Sequence, residues 1–239
     1  MLSKPRLVAE VGSALALGAL RPSEYTAALI QVLRGNRRLV EGASVLEIGS
    51  GSGVVLAALG ELGAASLCGI DIEEDAVASG MLLLHELGHG EVAELHQGDM
   101  WRPVAERRFG LVVANLPHFP MNDAAVPGRR MTWSAGGADG RRLLDPFLEG
   151  LPQHLALDGA AFITHNAFVG IERSRSILEP SGLALRIVDT TLVNLPEEKL
   201  ARMSSSVLAV EEGRSIFRYG PYIFAEMHVV EICAAEKLG

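Results

Sequence analysis

With 239 residues, 49% of them hydrophobic and 21% charged, the chain can build one α/β domain with a full core, and its composition excludes a disordered protein. A formal net charge of -8 weighs against nucleic acid as the main partner, because phosphate neutralisation drives much of such binding and asks for the opposite sign. Two cysteines, Cys68 and Cys233, are too few for a disulfide framework or a cysteine metal site, and no apolar run reaches the ~20 residues that cross a bilayer.

In chain order, residues 1–40 read as a helical N-terminal extension and residues 41–239 as the main domain. The apolar stretch "LVAEVGSALALGAL" carries Glu10 and lacks the form of a signal peptide, so a cytoplasmic enzyme or binding protein is expected. "RPSEYTAALIQVLRG" places Pro22 and Ser23 at a helix start, Ala27, Leu29, Ile30 and Leu33 as its apolar residues, and Gly35 as its stop. A strand over Ser44 to Ile48 runs into glycines, and a helix follows from Val54 to Leu62. "SLCGIDI" reads as a second buried strand, and "EEDAVASGMLLLHELG" as a helix with its acids at the positive N-terminal end.

"VAELHQGDM" gives a third strand and "FGLVVANLP" a fourth. Beyond a loop over 118–140, "RRLLDPFLEGLPQHL" sets Leu143, Leu144, Phe147, Leu148 and Leu151 on one helical face. "DGAAFITHNAF" is the fifth strand and "IERSRSILEPSG" another helix. "LALRIVDTTLV" and "YIFAEMHVVEICA" are the last two strands, with no strong helix between them. This alternation predicts a doubly wound, mostly parallel seven-stranded Rossmann-like sheet, with a C-terminal antiparallel hairpin at its edge.

Four features suggest a nucleoside site. Gly49, Gly51 and Gly53 follow the first strand and open a helix, where glycine permits a tight turn and a close ligand approach. Their G-x-G-x-G spacing is not the G-x-G-x-x-G of dinucleotide binders. Asp71 ends the second strand, where an acid can accept both hydrogen bonds of a ribose diol or cap the next helix. Glu47 lies inside the first strand, a costly place for a charge unless it meets a ligand's ammonium, through water, or supports the loop. Asp99 and Met100 end the third strand and could bond an adenine amino group and pack on its ring.

Together these residues resemble the class I S-adenosylmethionine-dependent methyltransferases. "VLEIGSGSG" is similar to their glycine loop, "GIDI" to their ribose acid and "GDM" to their adenine-side aspartate. Within the class, "VVANLPHFP" resembles the D/N-P-P-Y/F motif of the HemK/PrmC-type glutamine and amino methyltransferases. "GGADGRRLLDPFL" and "LRPSEYTAALI" are similar to that group's G-G-x-D-G and R-P-x-T-E stretches. The resemblance implies S-adenosylmethionine held by Glu47, Gly49, Ser50, Gly51, Gly53, Asp71, Ile72, Asp99, Met100 and Asn115. It also implies catalysis at Asn115, Leu116, Pro117 and His118, where the Asn115 side-chain oxygen and the Leu116 carbonyl accept the two N–H bonds of the target nitrogen.

The departures are Leu116 for the first proline, His118 for the aromatic residue and Glu24 for the threonine. His118 could stack on a planar target, act as a general base, or face solvent as an ordinary loop histidine. Arg129, Arg130, Arg141 and Arg142 could bind a substrate carboxylate or phosphate, or form a solvated basic face, and Trp133 could belong to a lid. Tyr219, Tyr222 and His228 carry no motif.

The expected activity is methyl transfer to an amino or amide nitrogen of a small molecule or protein side chain. RNA methylation, or another use of the cofactor such as a different group transfer or a cyclisation, are the alternatives. The sequence sets neither the acceptor nor the oligomeric state.

Overall fold

The computed structural model describes residues 22–121 and 135–237. Residues 1–21, and with them the leading apolar stretch, lie outside the described residues, as do Arg129, Arg130 and Trp133.

The helix expected after Pro22 is α1 (Glu24–Gly35), and the backbone N–H of Ser23 donates to the Thr26 hydroxyl at 3.3 Å at its start. A one-turn helix α2 (Arg37–Val40) leads into the sheet. The chain then alternates through β1 (Ser44–Ile48), α3 (Val54–Glu61), β2 (Ser66–Asp71), α4 (Glu74–Glu86), β3 (Ala93–Gln97) and β4 (Phe109–Ala114). It continues with α5 (Leu144–His154), β5 (Leu155–Asn166), α6 (Ile171–Leu178) and β6 (Leu183–Asn194). The last part holds two short helices, α7 (Glu197–Leu200) and α8 (Ser205–Glu211), then β7 (Ile216–Tyr219) and β8 (Tyr222–Ala234).

The strand order is β3-β2-β1-β4-β5-β8-β6, with β7 paired to β8. The pairs β1–β2, β2–β3, β1–β4 and β4–β5 are parallel, whereas β8 runs antiparallel to β5, β6 and β7. The sheet is therefore doubly wound and mostly parallel, as the alternation predicts. Among the described residues it has eight strands rather than seven. The extra one, β7, is four residues long with Arg218 and Tyr219 exposed, too short and too polar to read as a strand. It turns back through Gly220 (φ 61°), so Tyr219 and Tyr222 are a cross-strand pair. The antiparallel pair at the edge is β6 with β8. The final strand lies inside, between β5 and β6, which accounts for the nearly unbroken burial of residues 227–233.

Register decides where the site forms. Ile48 pairs with Ile70 on one side and with Ala114 on the other, and Ala114 pairs with Ile163. The next residues, Gly49, Asp71, Asn115 and Thr164, therefore leave the sheet at one level, on its carboxyl edge. Strand order reverses between β1 and β4, and doubly wound sheets leave a crevice at that switch point. Leu29 and Leu33 of α1 are fully buried, and the helix packs on β5, β6 and β8, so its first turn reaches the same edge.

Candidate active site

The loop after β1 is held in a left-handed shape that glycine supplies without strain: Gly49, Gly51 and Gly53 have φ of 73°, 50° and 74°. At Gly53 there is also no room, because a Cβ would lie 2.9 Å from the Cα of Gly80 on α4. The N–H groups of Gly49 and Ser50 both donate to the Ile70 carbonyl, at 2.8 and 3.0 Å. Asp71 completes the fastening, since its Oδ2 accepts the Gly51 N–H at 2.8 Å and its Oδ1 accepts the Glu73 N–H at 3.0 Å. It holds the loop and the following helix turn, and it still lines the open cleft.

That cleft has a volume of about 290 Å³ and is bounded by the glycine loop, Asp71, Ile72, Asp99, Met100, Asn115 and Pro117, with Arg142 and Leu143 across from them. Ile72 is 57% exposed, a large apolar side chain left uncovered at the cleft wall. Met100 has φ 49°, the one left-handed residue other than glycine among those described, and such strain is commonest at functional sites. Beneath the loop, Glu47 is 2% exposed and its Oε2 has no hydrogen-bond partner. Burial first, and the neighbouring Asp71 carboxylate second, push the Glu47 carboxyl well above the usual range. The buried Ser50 hydroxyl also lacks a partner. Two orphaned polar groups, an acid at a strand end and an exposed apolar wall suit a nucleoside with a cationic amino-acid tail.

The acceptor corner lies at the ends of β4 and β5. Thr164 donates its hydroxyl to Asn115 Oδ1 at 2.8 Å, and Asn115 Nδ2 sits 3.4 Å from the Thr26 hydroxyl. Sequence reasoning had not marked Thr26 or Thr164. Each had a signal: polar residues at the carboxyl end of a buried strand in "FITHN", and a threonine two places beyond the Glu24 departure.

Leu116 and Pro117 line the cleft but His118 does not. Its ring is 3% exposed, and its Nδ1 lies 2.5 Å from the Leu116 carbonyl. Of the three readings weighed for His118, the solvent-facing one is therefore corrected. A ring placed there neither stacks on a target in the cleft nor reaches a proton in it, and burial lowers its pKa to about 4.

Arg141 also departs from expectation. It is an internal cross-link rather than a solvated or substrate-facing cation. Its guanidinium donates to Asp145 at 2.7 Å, to the carbonyls of Val169 and Gly170 and to Ser174, tying the glycine-rich turn before α5 to α6. Arg142 alone of the described pair reaches the cleft. Cys68, Glu94 and His96 have the spacing of metal ligands, yet Arg107 already donates to Glu94 and reaches the Cys68 sulfur at 3.8 Å, so the protein supplies that cation itself.

Residues 45–131 match the family described as "Methyltransferase domain". A Methanocaldococcus jannaschii protein provisionally named as a protein N5-glutamine methyltransferase is 27% identical over 164 residues, 67% of this chain and 80% of its own length. The release factor glutamine methyltransferase of Geobacter sulfurreducens is 28% identical over 152 residues, 59% of this chain, which spans half of that enzyme. Among solved structures, the E. cuniculi Mtq2–Trm112 complex, described as methylating the termination factor eRF1, superposes with a TM-score of 0.59 at 17% identity, covering 92% of this chain and all of that one. In sheet order, glycine loop and relatives, the chain is similar to the class I S-adenosylmethionine-dependent methyltransferases, and among them to the glutamine methyltransferases of the HemK/PrmC-like group.

Proposed function

We propose that the chain binds S-adenosylmethionine in this cleft and transfers its methyl group to the side-chain amide nitrogen of a protein glutamine. The observation that carries the reading is Asn115, held by Thr164 at the rim of the cleft that the glycine loop and Asp71 also line. Gly49, Ser50, Gly51 and Gly53 would bed the amino-acid end. Asp71 would take the ribose hydroxyls, Asp99 the adenine amino group, and Ile72 and Met100 the faces of the ring. Glu47 would meet the ammonium, directly or through water.

When bound, the sulfonium makes the methyl carbon electrophilic, so the protein need supply only placement and charge stabilisation. An amide nitrogen is a poor nucleophile because its lone pair is delocalised. Two acceptors on its N–H bonds, Asn115 Oδ1 and the Leu116 carbonyl, draw positive charge onto the N–H ends and return electron density to nitrogen. Asn115 Oδ1 spends one lone pair on Thr164 and keeps the other for this purpose. So held, the nitrogen lone pair would be aimed at the methyl group that the bound sulfonium would supply with its C–S electrons left on sulfur, and an N–H proton would leave to water. No general base in the cleft is required.

The test uses methyl-labelled S-adenosylmethionine and a synthetic peptide with a single glutamine and no lysine. Tandem mass spectrometry should place one methyl on the glutamine amide. Label confined to another residue type, or transfer to RNA with none to peptides, would overturn the reading.

A further inference from the structure

The environment of His118 gives the departure from the relatives' aromatic residue a specific meaning. A carbonyl only accepts, so a neutral ring whose Nδ1 meets the Leu116 oxygen carries its proton on Nδ1 and leaves Nε2 bare. Nε2 is buried with no other partner, and so is Nδ2 of Asn166, whose amide lies beside the ring. The orientation of Asn166 is fixed from its far side, because Tyr25 of α1 donates its hydroxyl to Asn166 Oδ1 at 2.8 Å. Tyr25 thus points to Asn166 and His118 to Leu116, while Asn166 Nδ2 and His118 Nε2 lie buried without a hydrogen-bond partner. The groups facing the ring are Tyr25, edge-on at 5.9 Å from α1, Phe119, Lys199 of α7, and His165 and Asn166 of β5.

We propose that His118 is a positioning residue for methyl transfer: as an Nδ1–H imidazole packed edge-on against Tyr25 and beside Asn166, it grips the Leu116 carbonyl from behind the cleft and sets the direction of the one lone pair left for the acceptor nitrogen. The proposal rests on the reading of the cleft given above. It replaces an aromatic ring's shape with a hydrogen bond, and it ties the acceptor motif to the first turn of α1, where Tyr25 and Thr26 hold Asn166 and Asn115 side by side.

Spectroscopy tests this without any acceptor. In nitrogen-15 spectra of the full chain, the His118 ring should be the Nδ1–H tautomer and should not titrate between about pH 5.5 and pH 8. Tyr25→Phe, which leaves the Leu116 contact itself intact, should broaden the ring or mix its tautomers, and His118→Phe should shift the Leu116 carbonyl carbon. An Nε2–H ring, titration in that window, or a Leu116 carbonyl indifferent to His118→Phe would overturn the proposal.

With the single-glutamine peptide, His118→Phe should lower kcat about tenfold, as for one lost hydrogen bond in the transition state, while the KM for S-adenosylmethionine stays unchanged. His118→Asn, whose amide N–H stands in for Nδ1–H, should recover most of the rate. Equal rates for the Phe and Asn variants would refute the positioning role. If wild-type protein methylates no peptide, the acceptor reading fails and the spectra still decide the role of His118.

Discussion

Replacing Glu47 by glutamine separates stability from ligand binding. The carboxyl is 2% exposed, one oxygen has no partner, and burial together with Asp71 raises its pKa well above the 4.5 of a free glutamate. The folded state therefore holds this proton more tightly than the unfolded chain does. Its contribution is fully present below about pH 4.5 and is lost as pH rises from there through the folded-state value, at up to about 1.4 kcal/mol per pH unit for one proton. Glu47→Gln cannot ionise, so in the ligand-free protein the stability advantage of the variant should grow with pH across that window.

Binding should run the other way. An ammonium placed beside Glu47 favours the carboxylate, so wild type should release a proton on binding S-adenosylmethionine, and the variant should bind more weakly by about 1.5–3 kcal/mol. Urea melts between about pH 5 and pH 8, with calorimetry in two buffers of different ionisation enthalpy, read both effects. Parallel stability curves for the two proteins, with no proton release by wild type, would refute the reasoning.

Asp71→Ala removes two loop-fastening hydrogen bonds as well as the ribose acceptor, so it should weaken S-adenosylmethionine binding by about 2–3 kcal/mol and also lower the urea midpoint. Unchanged affinity in calorimetry would exclude Asp71 from the ribose. Asn115→Ala should lower kcat on the glutamine peptide about a hundredfold, and Thr164→Val, which leaves Asn115 in place but unsteadied, about tenfold, with nucleoside affinity kept in both. A loss confined to KM for the nucleoside would contradict their place on the acceptor side. Arg141→Met should destabilise the fold by about 3 kcal/mol or more, because it strands buried carbonyls and Ser174. A melt within 1 °C of wild type (about 0.5 kcal/mol) would contradict its description as a cross-link.

What could be read in advance follows from the physics of each element. Strands β1, β2 and β4 are short apolar runs punctuated by glycine and acid, and parallel register alone brings Gly49, Asp71 and Asn115 to one level. Periodicity was enough for that. The direction of a side chain in an irregular corner is a different matter. His118 follows Pro117 in a turn, and whether its ring points to solvent, to the cleft or inward depends on Tyr25 and Asn166, 93 residues before it and 48 after. No local pattern encodes that.

Arg141 could have been anticipated in part, since Asp145 stands at i+4 on a helix start, but Val169, Gly170 and Ser174 come from another element. Thr26 and Thr164 converge on Asn115 only once α1 packs across β5. β7 escaped because four residues, of which only Ile216 is buried, carry too little alternation to stand out next to a strong strand.

The most direct measurement is calorimetric titration of the purified chain with S-adenosylmethionine, with NAD as the control. The account predicts one saturable site per chain for S-adenosylmethionine, lost or strongly weakened in Asp71→Ala, and no binding of NAD. Binding of NAD instead, or no binding of S-adenosylmethionine to well-folded wild type, would contradict it.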